Sequence, residues 1–301
     1  MELLNIFANV LLPVFLLIGA GVLLDRKLAI DVKSVSRVAY YIFSPSLIFS
    51  SLVTSAVSGS DSAQIFVFVL VITFLVVLVS LAAARLLKLD QVSTSAFLLT
   101  TAFMNSGNYG MSVNLFAFGE EGLARAVLYF VASAVLSNTL GVFFAARGRS
   151  GIRQALLGIL KAPMVYAALA AVAVNLTGLT VPAPLLKAFT SAGNGAVPSL
   201  LLILGMQLSR TRLNRDIPAV ATASLIRLVV SALLAWGLAL LMGVQGVTRQ
   251  VCILESAMPA AITPLIIAVE FDTNPKLVTS VIFLSTVASM VTLTVLLSLL
   301  M

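Results

Sequence analysis

Residues 102–113 read AFMNSGNYGMSV, from Ala102 to Val113, and they interrupt a long apolar stretch. Asn105, Ser106, Gly107, Asn108, Tyr109 and Gly110 make a poor helix interior, because Gly costs about 1 kcal/mol against Ala there and Asn somewhat less. In hydrocarbon each unpaired backbone N–H or C=O costs several kcal/mol more. An unwound segment therefore survives only where it is buried in protein or lines a polar cavity.

Composition supplies the membrane around this stretch. Hydrophobic residues make up 60% of the chain and charged ones 10%, against roughly 25% charged in soluble domains. Uncharged runs of about 20 residues recur, each long enough to cross the hydrocarbon core as a helix. Ten spans are predicted, near residues 3–24, 34–54, 63–87, 92–116, 122–146, 154–177, 184–208, 217–243, 248–270 and 276–300. The chain reads as an all-α, multi-pass protein of the cell membrane. No basic residue precedes the first run and Leu23-Leu24-Asp25 is a poor cleavage site, so it reads as a retained span rather than a signal peptide. A single cysteine, Cys252, excludes a disulfide framework within the chain, and the absence of histidine excludes imidazole relays and His-ligated metals. No cofactor is implied.

The net charge of +7 follows topology rather than nucleic-acid binding, since no soluble domain is available to carry a basic footprint. Arg26, Lys27, Lys33, Arg85, Lys88, Arg147, Arg149, Arg153, Arg210, Arg212, Arg215 and Lys276 follow the odd-numbered spans. The other connections carry Arg125, Lys187 and Arg249. The positive-inside rule then places both termini outside the cytoplasm.

The two halves echo each other. Ser44-Pro45-Ser46 in span 2 resembles Val197-Pro198-Ser199 in span 7, and Asp61 to Ala102 aligns without a gap on Asp216 to Ala257. The division falls between residues 1–150 and 151–301, five spans each. Five is odd, so the second half enters the membrane from the opposite side. The result is an inverted repeat, an architecture that lends itself to alternating access.

The repeat supplies a partner for the opening stretch. The equivalent place in span 9 reads Glu255-Ser256-Ala257-Met258-Pro259-Ala260-Ala261-Ile262-Thr263-Pro264. Its prolines remove backbone donors and clash with the preceding turn. Inversion would bring the two breaks together near the midplane. The half-helices that start there would aim N–H groups, about half a positive charge apiece, into the gap. Asn105, Asn108 and Thr263 would add polar contacts, and the site suits an anion, most simply a carboxylate. Close helix crossing through small residues is the alternative; it accounts for Gly107 and Gly110 but not for the Asn and Pro residues.

These residues resemble the auxin efflux carrier family of bacterial permeases and plant PIN proteins. The markers are Asn105 to Gly110, Phe118-Gly119-Glu120-Glu121-Gly122-Leu123-Ala124, Leu204-Gly205-Met206-Gln207-Leu208 and Glu255 to Ala261, and the resemblance covers nearly the whole chain. It implies ten helices in two inverted repeats, often as a homodimer. Spans 1, 2, 6 and 7 would form a scaffold. Spans 3–5 and 8–10 would form a moving transport domain of the elevator type, with spans 4 and 9 crossing at the substrate site. Family substrates are organic acids, indole-3-acetate in plants and malonate or malate for bacterial members. Ser112 stands where many relatives have Pro and Thr263 where many have Asn, so the resemblance implies no single substrate. The long cytoplasmic loop of plant members is missing.

Two ionisable residues lie well inside spans, Arg227 and Glu255. Each costs about 2.5–3.5 kcal/mol or more at the bilayer centre, so each is expected to have a polar partner or a cavity. Glu255 is expected to take up a proton or bind a cation during the cycle, or else to pair with Arg227 or a hydroxyl. Arg227 is expected to be structural or to snorkel toward the cytoplasm, and Lys161, near the start of span 6, is expected to snorkel. Ser44 and Ser46, beside Pro45, are candidates to line the substrate path.

A secondary transporter of small organic anions is the leading expectation. The alternative is a cation-coupled symporter resembling the bile-acid carriers. An intramembrane enzyme has no Ser–His couple or buried carboxylate pair to work with. A channel would have no need of the inverted repeat.

Overall fold

The computed structural model describes residues 2–28, 30–55, 57–145, 162–210 and 216–301. Among them every regular element is a helix: α1 (Leu3–Leu28), α2 (32–54), α3 (Gly59–Leu86), α4 (Gln91–Ala102), α5 (106–118), α6 (120–145), α7 (Pro163–Thr177), α8 (Ala183–Ser209), α9 (Ile217–Leu241), α10 (Gly246–Ser256), α11 (Thr263–Glu270) and α12 (Pro275–Leu300). Arg147, Arg149, Arg153, Lys161, Arg212 and Arg215, the start of predicted span 6 and the boundary between the halves lie outside the described residues.

Length and apolar composition suit six described helices to crossing a bilayer: Leu3–Leu28, Gly59–Leu86, Ser106–Ala145, Ala183–Ser209, Ile217–Leu241 and Pro275–Leu300. The third has 40 residues, about twice what the hydrocarbon core needs. It folds back on itself at Gly119, whose φ of 64° lies in the left-handed region. α5 and α6 are thus the end of predicted span 4 and the body of span 5. The remaining spans fall on the more polar α2, on α7, and on the pair α10 and α11.

Helix starts follow side-chain chemistry. Asp31, Ser58, Asp90, Asp216 and Asn274 are N-caps, each accepting a backbone N–H two or three residues on, which satisfies donors with no intrahelical partner. The Ser34 hydroxyl and the N–H groups of Lys33 and Ser34 hold the Asp31 carboxyl below the usual carboxylate range. Asp90 and Gln245, partners in the sequence alignment of the two halves, are the N-cap positions of α4 and α10. α2 and α8 also distort at matching places. A π-turn at Ala39–Phe43 precedes Pro45, and a turn at Asn194–Gly195 precedes Pro198. Proline inside a helix leaves the carbonyl one turn back without its usual donor.

Large apolar side chains face outward, among them Leu70, Phe74, Leu233, Val291 and Leu299. A surface of that kind is a liability in water and an advantage against lipid. Inside, α1, α2, α7 and α8 pack on one another. α1 crosses α8 at Gly21 and Gly205, where a Cβ on Gly21 would strike the Leu202 carbonyl and one on Gly205 the Ile18 carbonyl. The third sequence marker therefore coincides with a backbone-to-backbone crossing. Gly193 of α8 meets the Leu47 backbone of α2 in the same way, and Asn175 of α7 donates to the Leu52 carbonyl at 2.9 Å. α3, α4, α6, α9, α10 and α12 pack around the two breaks. At one end Arg125 of α6 bridges Asp61 of α3, at 3.9 Å, and Thr248 of α10, at 2.8 Å.

Candidate functional site

The two interruptions lie side by side, and each supplies what the other lacks. α4 stops at Ala102 and Phe103 is extended (φ −114°, ψ 112°). α10 stops at Ser256. The segments between run antiparallel. Asn105 N–H donates to the Pro259 carbonyl at 2.8 Å, Ala261 N–H donates to the Phe103 carbonyl at 3.0 Å, and Met104 and Ala260 form an isolated antiparallel bridge. The Ala260 N–H reaches Ser285 Oγ of α12 at 3.1 Å. Unwound backbone is thereby hydrogen-bonded inside the protein, the condition under which a membrane tolerates it.

α5 starts in a π-turn, Ser106–Gly110. Asn105 caps it, with Oδ1 accepting the Asn108 N–H at 3.1 Å. The Asn105 side chain is buried, and its Nδ2 has no hydrogen-bond partner among the described residues. Ser106 Oγ meets Ser133 Oγ of α6 at 2.8 Å, and Ser112 Oγ donates to the Asn108 carbonyl at 3.1 Å. Gly107 abuts the Phe130 ring, which a Cβ would strike at 2.7 Å.

A cavity of about 1010 Å³ opens onto this turn. Of the predicted residues, Asn105, Ser106, Gly107, Asn108, Ser44 and Thr263 line it. The others lie elsewhere. Tyr109 turns to the opposite side of α5, fully buried, with its hydroxyl 2.9 Å from Ser289 Oγ and its ring edge-on to Phe15 at 6.0 Å. Pro259 and Ala260 are buried, their backbone engaged by Asn105 and Ser285. Ser46 is also buried away from the cavity, because two residues along a helix turn it about 200° from Ser44. The two half-helix N-termini are unequal, contrary to the symmetric expectation. In α11 Pro264 has no N–H and the Leu265 N–H goes to the Ile262 carbonyl at 2.8 Å, so α5 presents more unpaired donors.

Each buried charge has polar partners, and neither pairs with an opposite charge among the described residues. Glu255 does not pair with Arg227 or a hydroxyl; its Oε1 accepts from Asn114 Nδ2 at 2.8 Å, and Oε2 has no partner among the described residues. Asn114 Nδ2 also reaches the Gly110 carbonyl at 2.9 Å, and a Cβ on Gly110 would overlap the Glu255 carboxyl. Arg227 does not snorkel. It is fully buried and donates to the Thr101 and Ser256 carbonyls. Helix C-termini supply the acceptors for Arg227, and the Asn114 amide supplies the donor for Glu255.

Sequence reasoning missed the α6 wall of the cavity, Phe130, Ser133, Ser137 and Asn138. The signal was there, since those residues repeat at helical spacing on one face of an otherwise apolar span. Lys33 and Arg37, one turn apart at the start of α2, line the mouth together with Glu270. Asn114, one turn beyond Gly110, was missed too.

Comparison with known proteins comes to the same molecule from outside. A family model described as membrane transport protein matches residues 6–297. An uncharacterized transporter from Methanothermobacter thermautotrophicus is 33% identical over 266 residues, covering 87% of each chain. An uncharacterized transporter from Methanocaldococcus jannaschii is 27% identical over 266 residues, covering 86% of each.

Proposed function

This chain belongs to the membrane transport protein family, the auxin efflux carriers, and we propose that it moves small organic anions across the membrane by alternating access. The family and the apolar helices make it a multi-pass membrane transporter. One observation carries the finer reading: the buried, unpartnered Asn105 Nδ2 at the edge of a cavity of about 1010 Å³. A buried donor left unmade costs about 1–3 kcal/mol, and an acceptor guest removes that cost. Ser106 and Asn108 in the first turn of α5 and Thr263 of α11 line the same cavity. A carboxylate meets those donors well.

Much of the remaining wall is apolar, with Phe103, Phe130, Ile203, Ile266 and Phe271, and Ser133, Ser137 and Asn138 of α6 add polar groups to it. With its donors gathered at the break and large apolar side chains beside them, the site favours a monocarboxylate with an apolar body. With the termini outside, Lys33, Arg37 and Glu270 at the mouth fall on the cytoplasmic side, so the cavity opens inward. α1, α2, α7 and α8 are the proposed fixed body, and the remaining helices carry the crossing as the moving one.

The test is a thermal-shift panel of mono- and dicarboxylates on purified protein in detergent. Binding raises the apparent melting point by mass action, about 2.7 kcal/mol of stabilisation at a hundredfold excess over Kd. Monocarboxylates with an apolar body are expected to give the largest shifts. In liposomes, external unlabelled ligand is expected to accelerate exit of labelled ligand, which a channel would not do. A panel without a shift removes the proposal.

The unpartnered Glu255 Oε2 favours a second reading, coupling to a proton or a cation. A carboxylate buried without an ion partner costs several kcal/mol, and a proton or cation at Oε2 would reduce it. Uptake is then expected to follow a proton or sodium gradient in the parent and to ignore it in Glu255→Gln, with affinity unchanged to within about threefold, or about 0.6 kcal/mol. A parent indifferent to both gradients rules this reading out.

A further inference from the structure

Arg227 sits in a π-turn of α9, Ile226–Val230, and is fully buried. Its guanidinium joins two helices from different halves of the chain. Nη1 donates to the Thr101 carbonyl in the last turn of α4, and Nη2 donates to the Ser256 carbonyl at the end of α10. Ser231 Oγ, one turn on, shares the Ser256 carbonyl at 2.8 Å. No carboxylate forms an ion pair with Arg227 among the described residues, and the nearby Glu255 carboxyl is held by Asn114. The guanidinium also lies outside the cavity wall.

Those two carbonyls belong to the negative ends of the half-helices. Each helix C-terminus carries about half a negative charge and each N-terminus about half a positive one. Across the breaks the ends of α4 and α10 therefore nearly cancel the starts of α5 and α11. Four such ends by themselves would give a guest in the cavity little reason to be an anion. One guanidinium neutralises the two negative ends together and leaves the positive ends, chiefly that of α5, uncompensated.

We propose that Arg227 gives the crossing its preference for anions without touching the guest, by cancelling the negative ends of α4 and α10 behind it. Arg227 is a positioning residue in the electrostatic sense. The inference rests on the anion reading of the cavity given above.

The experiment compares 3-phenylpropionate with its uncharged primary amide, by Kd on purified full-length protein, in the parent, Arg227→Lys and Arg227→Gln. The parent is expected to prefer the carboxylate. Arg227→Gln should lose on the order of tenfold in the carboxylate-to-amide ratio, the effect of removing one charge about 10 Å away, with amide affinity little changed. Arg227→Lys keeps the charge though it cannot bridge both carbonyls as a fork, and it should hold the ratio to within about threefold. A purely structural arginine predicts equal losses for both ligands and an unchanged ratio in Arg227→Gln; that result overturns the inference while the anion site stands. If Arg227→Gln is not recovered folded, Arg227→Met, an uncharged side chain of similar length, takes its place: a loss on the order of tenfold in the ratio supports the inference and an unchanged ratio overturns it. A parent that prefers neither ligand overturns the anion reading and this inference with it.

Discussion

Asn105→Asp is expected to abolish carboxylate binding while keeping the N-cap of α5. Aspartate is as good an N-cap as asparagine, so the Asn108 N–H, now 3.1 Å from Asn105 Oδ1, keeps its acceptor. What changes is the other end of the side chain. The unpartnered Nδ2 donor becomes a second carboxylate oxygen beside the cavity. Two like charges about 5 Å apart repel by about 3 kcal/mol at an effective dielectric of 20, roughly a hundredfold in affinity. The ligand-free variant should melt below the parent, because a buried carboxylate without an ion partner costs several kcal/mol, and the shift produced by carboxylates should disappear. Asn105→Ala is the less clean experiment, since it also removes the cap, at about 1 kcal/mol. An Asn105→Asp protein that still responds to carboxylates would move the site away from the break.

Gly21→Ala and Gly205→Ala are expected to be the most destabilising single-methyl additions in the fixed body. At each position the added Cβ strikes a carbonyl of the opposing helix, with further backbone atoms at 2.9 and 3.0 Å. Backbone cannot rotate aside as a side chain can, so α1 and α8 must separate. Overpacking of this sort costs about 1–3 kcal/mol and occasionally more. Gly19→Ala is the matched control. It lies two residues away in α1 with nothing within 4 Å of its Cβ, and Ala there gains up to about 1 kcal/mol of helix propensity. Melting of the purified variants should therefore fall for Gly21 and Gly205 and hold or rise for Gly19. Because both glycines serve one crossing, the double variant should cost less than the two single losses together. Equal behaviour of Gly19 and Gly21 would show that the helices do not meet there.

Particular residues show how far sequence reasoning reached. Asn105 to Gly110 and Pro259 announced two breaks, because Gly and Pro act on the local backbone whatever surrounds them. Leu204 to Leu208 was visible as a marker, but its purpose was not, since a glycine reports the room it needs and not the helix that fills it. Tyr109 and Ser46 were placed at the site by neighbourhood in the chain. A helix rotates such neighbours onto different faces, and both turned out buried elsewhere.

The amino-acid order by itself determined the class of molecule, its long apolar helices and the two interruptions, since each depends on residues within a few turns of one another. Only the tertiary structure decided where the buried charges go and which side chains meet the cavity. Arg227 reaches a carbonyl 126 residues away and Glu255 an amide 141 residues away. Inside a bilayer protein a polar group takes whichever partner the packing brings within about 3 Å, because no water is there to serve instead. That choice is made by the approach of helices in space, and no local pattern encodes it.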